Sequence, residues 1–387
     1  MPEPRCSAGD SVTGVRATGA GAVTTDPIAW AARFRARLGQ QRVPVAGSLE
    51  LTRRCNLDCA HCYLGSRRER QAGRDDEMST PWVLGLLDQL AEAGCLNLLI
   101  TGGDPMIRPD STEIYSRARQ LGLLVTVFCN GTLVSDGVVE VFRQLPPQMV
   151  EISIYGNRAS THDRVTRMPG SQTTLLSAVE RLKAAGVRVG IKTVLMTMNQ
   201  SELGSMRRLA RDLDVPFRMD AAIMPCLQPS ECRPEEYRID AVRAAELELD
   251  DKETKETWKR YAVRVPSGAA DNRLYQCGAG RTNFAISPEG MISPCLVMPH
   301  VAYDLRERKF ADVWAEEMAS TIGQSASTGY PCHSCAVRAA CTACPATHRL
   351  ETGREDLPGG HSCDAAQRRW QILGLGAKGD TMEAETP

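Results

Sequence analysis

Arg53-Arg54-Cys55-Asn56-Leu57-Asp58-Cys59-Ala60-His61-Cys62-Tyr63 follows directly on the strand-like stretch Ser48-Leu49-Glu50-Leu51-Thr52. Its cysteines are spaced C-x3-C-x2-C. Three thiolates this close can fix three irons of a four-iron cube and leave the fourth iron open to the amino and carboxylate groups of a ligand. A structural zinc site asks for four ligands, and His61, beside Cys62, is poorly spaced to be the fourth.

Outward from this loop, strand-like and helix-like segments alternate. Strands are expected at 48–52, 96–101, 123–128, 149–154, 188–195 and 216–222, with helices near 80–93, 110–121, 135–144, 172–185 and 200–213. Pro81 behind Ser79 and Thr80 starts a helix, and Gly94, Gly122 and Gly186 stop three. The alternation predicts parallel strands with right-handed crossovers, an α/β fold with a partial (β/α)6 TIM-like barrel. Chemistry on such a barrel belongs at the C-terminal ends of the strands. Residues 1–45 read as a largely disordered leader with a short helix at 28–41, 46–225 as the barrel and 226–274 as a helical bridge. Residues 275–370 read as a small cysteine-rich domain and 371–387 as a tail.

The 387 residues include 42% hydrophobic ones, enough for a sizeable core, and carry a net charge of -1. That balance predicts no nucleic-acid or membrane partner. No segment reads as a bilayer span or an export signal, so a cytoplasmic protein is expected. Fifteen cysteines need a reason. Clusters at 55–62 and 332–344 are too tight to pair internally as disulfides and suit a metal held by thiolates.

Together these features resemble the radical S-adenosylmethionine (SAM) superfamily, over roughly residues 46–370. The resemblance implies that Cys55, Cys59 and Cys62 hold a [4Fe–4S] cluster whose open iron chelates SAM. Reductive cleavage then yields a 5′-deoxyadenosyl radical that abstracts hydrogen from a substrate. His61 and Tyr63 are expected near the adenine. Gly102-Gly103-Asp104-Pro105, after the second strand, looks like the family's Gly-Gly-Glu-Pro motif for the SAM amino group, with Asp104 where Glu is usual. Asn130 after the third strand and Ser153 at the end of the fourth are further SAM contacts by resemblance. Arg167 is the candidate for the SAM carboxylate.

Cys277 and Cys295 flank a predicted β-hairpin around Ser287-Pro288-Glu289-Gly290. Cys332-x2-Cys335-x5-Cys341-x2-Cys344 and Cys363 follow. This pattern resembles the SPASM domain, with x2 where x3 is usual in the last spacing. The resemblance implies one or two auxiliary [4Fe–4S] clusters. Cys332, Cys335, Cys341 and Cys363 would hold the outer one, and Cys277, Cys295 and Cys344 the inner one. The inner fourth ligand is an open iron site or comes from elsewhere, for example Cys226 or Cys232. A zinc ribbon on Cys332–Cys344 is the plainer alternative.

Members with this domain mostly modify ribosomally made peptides, so a precursor-peptide substrate and oxidative modification or crosslinking are expected. A reducing partner such as flavodoxin or ferredoxin would supply electrons. Oxidation, epimerisation or decarboxylation of a small-molecule substrate is the second expectation, and a non-catalytic redox sensor the third. The Gly-Gly-Asp-Pro loop weighs against a sensor, which has no use for SAM.

Overall fold

The computed structural model describes residues 27–265 and 272–375. The expected leader residues 1–26, residues 266–271 of the bridge and tail residues 376–387 lie outside them. The described residues divide into two compact units, one ending at Gln41 and one starting at Arg42. In the first, helix α1 (Pro27–Gln41) stacks Trp30 on Phe34, one turn on, at 5.2 Å between ring centres.

The second unit is built on β1 (Ala46–Glu50), β2 (Asn97–Thr101), β3 (Leu124–Cys129), β4 (Met149–Ser153), β5 (Val189–Val194) and β6 (Phe217–Asp220). The sheet order is β6-β5-β4-β3-β2-β1-β7-β8-β9, and β1 to β6 pair in parallel. The crossovers carry α2 (Arg67–Ala72), α3 (Thr80–Glu92), α4 (Ser111–Gln120), α5 (Asp136–Gln144), α6 (Ala159–Thr166), α7 (Ser171–Ala184) and α8 (Leu203–Asp212). Alternate strand residues such as Leu98, Ile100, Val125, Val127, Val150, Ile152 and Ile191 belong to one buried core with Leu86, Leu87 and Leu90 of α3 and Leu175 and Leu182 of α7. Each such leucine contributes about 2 kcal/mol. The intervening residues face the other side of the sheet, where the site lies. Helix α6 is not foreseen from sequence, because Ser160-Thr161-His162-Asp163-Arg164 gives no apolar period.

Helices α9 (Ala241–Leu249) and α10 (Lys252–Arg264) form the bridge, each capped by an aspartate, Asp240 and Asp251. The predicted hairpin is β7 (Asn283–Ile286) and β8 (Met291–Ser293), extended by β9 (Tyr303–Asp304). It does not stand apart from the barrel: β7 pairs in parallel with β1, Ala46 opposite Asn283 through Leu49 opposite Ile286. Gly47 permits this close approach, since a Cβ there would run into the Phe284 ring. Phe284 packs in turn on Phe310, 5.0 Å away, at the start of α11 (Phe310–Ile322). Helices α12 (Pro345–Thr352) and α13 (Gly360–Leu373) complete the cysteine-rich segment. Among the described residues no helix is long and apolar enough to cross a membrane.

Candidate active site

The cysteine loop is held by backbone hydrogen bonds from both sides. Gly103 N donates to Thr52 O at 2.7 Å and Asp104 N to Arg54 O at 2.9 Å. A Cβ at Gly102 would strike the Thr52 carbonyl, and one at Gly103 the Arg53 and Arg54 carbonyls, so the double glycine is a steric requirement of this contact. From the other side, Asp58 N donates to Thr166 O at 3.1 Å and Ala60 N to Val165 O at 2.9 Å, which makes α6 a buttress of the loop. Arg54 grips Glu77 with two hydrogen bonds, 3.0 and 2.8 Å, and Thr52 donates to the same carboxylate. Buried Arg70 donates to Gly65 O at 2.6 Å and Leu57 O at 2.7 Å.

A cavity of about 320 Å³ opens on this loop, lined among others by Cys55, Cys59, Cys62, His61, Tyr63, Gly102, Gly103, Asn130 and Ser153. Burial pushes the Cys55 thiol up to about 11 and Cys59 well above its ordinary value, with Cys62 and Cys55 adding to the effect on Cys59. Crowded, desolvated thiols of this kind become thiolates only with a compensating cation, which is what bound iron supplies. Among the described residues no three or more His, Cys, Asp or Glu side chains could share one metal ion. A cube takes one thiolate per iron and so asks for wider spacing. Burial also holds His61 neutral, down to about 4; its Nδ1 is buried with no partner among the described residues. Tyr155 packs edge-on against it at 4.6 Å. The residues present fit a four-iron cluster and a ligand beside it.

Two expected contacts fall elsewhere. Asp104 is fully buried and turned away from the cavity. Its carboxylate accepts the backbone amides of Met106 at 2.9 Å and Asn130 at 2.8 Å. Arg167 does not line the cavity either. It ends α6 in the left-handed conformation and its guanidinium meets Asp58 at 3.3 Å, so the nearest anion is on the cysteine loop itself. Asn130 reaches the loop directly: Nδ2 donates to Asn56 Oδ1 at 2.9 Å and to Cys55 Sγ at 3.5 Å.

Sequence reasoning missed a charged group facing the cysteine loop. Phe128, Lys192 and Arg218 also line the cavity. Lys192 Nζ lies 3.0 Å from the centre of the Phe128 ring, and the Arg218 guanidinium 5.2 Å from it. A cation over a ring is worth about 0.5–2 kcal/mol. Burial brings Lys192 down to about 7. The available signal was the period of the strand: Gly190, Lys192 and Val194 alternate with core residues, so a lysine falls on the site face of β5. Arg70 gave no such signal, because it sits in the polar run Arg67-Arg68-Glu69-Arg70.

In the cysteine-rich segment the thiols fall into two groups. Burial raises Cys344, and Cys277 and Cys295 raise it further. Burial raises Cys363, reinforced by Cys341, Cys332 and Cys335. Cys341 and Cys344 are close in sequence yet face different groups. Cys226 belongs with neither group: its thiol lies 3.8 Å from the carbonyls of Cys62 and Cys232, beside the first cysteine loop. The expectation that it completes the inner set is not met, because the chain after β6 returns to the barrel mouth.

The Radical SAM superfamily matches residues 49–213, and the iron–sulfur cluster-binding SPASM domain matches residues 277–345. The chain carries a radical SAM domain followed by a SPASM domain. The radical SAM domain works with SAM and a [4Fe–4S] cluster, and the SPASM domain adds auxiliary iron–sulfur clusters, so this protein is an enzyme of radical chemistry. It is 28% identical over 323 residues to the AdoMet-dependent heme synthase of Methanosarcina barkeri, covering 79% of this chain and 92% of that one. It is 26% identical over 311 residues to the PqqA peptide cyclase of Gluconobacter oxydans, covering 76% and 82%. The fold is shared with Streptococcus suis SuiB bound to its precursor peptide SuiA, with a TM-score of 0.65 and 15% identity over 90% of this chain and 84% of that one.

Proposed function

We propose that this radical SAM enzyme oxidatively modifies a ribosomally made peptide, forming a carbon–carbon or carbon–sulfur crosslink or another oxidised residue. The observation that carries the reading is the convergence of three crowded thiols and a double-glycine loop on one cavity at the strand ends. A peptide substrate is supported by the PqqA peptide cyclase relatives and by the fold shared with SuiB. Cys55, Cys59 and Cys62 hold the radical cluster; His61, Tyr63, Gly102, Gly103, Asn130 and Ser153 surround SAM. When bound, SAM and its cluster supply a hydrogen-abstracting radical. The chain's own part is to hold the loop rigid, keep water out with His61 and Tyr155, and present the substrate. Cys332, Cys335, Cys341 and Cys363 would hold one auxiliary cluster, and Cys277, Cys295 and Cys344 another; such clusters would supply an acceptor for the electron that oxidation releases. A flavodoxin or ferredoxin provides the first electron, and the thiol-rich sites support a reducing, cytoplasmic setting.

Anaerobically reconstituted enzyme, given SAM and dithionite, should release 5′-deoxyadenosine, and the combined Cys55→Ala, Cys59→Ala and Cys62→Ala variant should release none. Co-expression with short peptides encoded beside its gene should yield a peptide lacking two hydrogen atoms. The heme synthase relative, matched over nearly its whole length, favours a second reading, oxidation or decarboxylation of a small molecule. 5′-Deoxyadenosine formed in step with a small-molecule product, and with no peptide, would select it.

A further inference from the structure

The register of the sheet sets Ser153 opposite Lys192, and Lys192 opposite Arg218, in one row across β4, β5 and β6. All three line the cavity. Arg218 is spent on Glu151, at 2.6 Å. Glu151 still acts on Lys192 electrostatically, but among the described residues Lys192 has no hydrogen bond and no ion pair, only the face of Phe128. An ammonium carries three donors. A half-buried one with all three unused, at the wall of a cavity, lacks its counterion. The group that satisfies several N–H donors and a positive charge together is a carboxylate.

We propose that Lys192 receives a carboxylate inside the cavity, held beside β5. This rests on the reading of the cavity as the SAM site. The carboxylate has two sources, SAM itself, since Ser153 adjoins Lys192 in the row, or the substrate. Phe128 holds the Lys192 charge over its ring face, and Arg218 keeps Glu151 from closing on Lys192 and filling the position.

Trace acetylation of the reconstituted holoenzyme, read on the Lys192 peptide by mass spectrometry, tests this. The arms are enzyme alone, with SAM, with decarboxylated SAM, and with glutarate in the presence and absence of SAM. Equilibrium dialysis reports SAM and its analogue bound in each. Protection by SAM but not by bound decarboxylated SAM assigns the position to the SAM carboxylate. SAM retention should then fall about tenfold in Lys192→Met and recover in Lys192→Arg, as for a lost charge-assisted hydrogen bond. Protection by glutarate on top of SAM assigns it to the substrate. If SAM is bound and neither it nor glutarate changes labelling, or if decarboxylated SAM protects as well as SAM and glutarate adds nothing, the proposal is wrong. If SAM is not retained while glutarate still protects Lys192, the carboxylate site stands and the SAM reading of the cavity falls.

Discussion

The carboxylate of Asp104 accepts the backbone amide of Asn130 at 2.8 Å, which locks the end of β2 to the end of β3. The Asn130 side chain then donates to Cys55 Sγ, so a buried aspartate after β2 positions a cysteine after the adjacent strand β1 by way of the end of β3. Asp104→Asn exchanges one of two acceptors for a donor in a fully buried site. Urea unfolding of the apoprotein should show a loss of about 1–3 kcal/mol. The reconstituted variant should also have a more negative cluster potential, because fewer N–H groups reach the Cys55 sulfur. An unchanged unfolding midpoint would show that the link carries no stability.

Gly103 packs under the carbonyls of Arg53 and Arg54. Gly103→Ala should push the cysteine loop outward at a cost of about 1–3 kcal/mol. Iron bound by the radical site should fall while the auxiliary sites load normally. Iron and sulfide assay of the variant beside the wild type checks this. Gly122→Ala is the control, since its Cβ would meet nothing within 4 Å, although its φ of +85° brings a small strain of its own.

Glu50 is buried at the end of β1 with Oε1 unpartnered, and desolvation raises it from 4.5 to about 7. Below pH 4.5 the carboxyl is neutral in both folded and unfolded chains. Between 4.5 and 7 the unfolded chain ionises first, so stability falls as pH rises, by up to roughly 3 kcal/mol. Asp104, raised to about 6, acts in the same direction. His61 and His162, held down to about 4, and Lys192, held down to about 7, act in the opposite direction, so Glu50 is isolated by comparing the variant with the parent. In thermal melting of the apoprotein, Glu50→Gln should gain in midpoint over the parent between pH 5.5 and pH 8; a variant whose midpoint changes with pH just as the parent's does would place the effect elsewhere.

The two thiol groups predict how iron is lost from cysteine variants. Cys295→Ala and Cys344→Ala should each lose about four irons, and the double variant no more than either. Cys295→Ala combined with Cys332→Ala should lose about eight. Additive loss in the first pair would break the grouping. Zinc on Cys332–Cys344 in the purified protein would restore the ribbon reading. Circular dichroism is needed alongside, because metal binding contributes to the folding of this segment.

The spacing C-x3-C-x2-C after a strand, the double glycine one strand later and the β/α alternation were all legible in the chain itself. They are local: a few neighbouring residues on one strand end determine them, and the period of the pattern reports the fold. The positions of Asp104 and Arg167 were not legible, because each had a nearer partner that only the packed structure brings up, the amides of Met106 and Asn130 for one and Asp58 for the other. Nor could spacing reveal that Cys341 and Cys344 part company, or that β7 joins β1 across more than two hundred residues. Lys192 stands between these cases. Strand period put it on the site face, but its lack of a counterion depends on Glu151 choosing Arg218, a choice made by the register of three strands. Sequence determines which residues an element presents and to which side. Tertiary structure decides which charges meet, because burial removes water as an alternative partner and leaves only the neighbours that sheet register supplies.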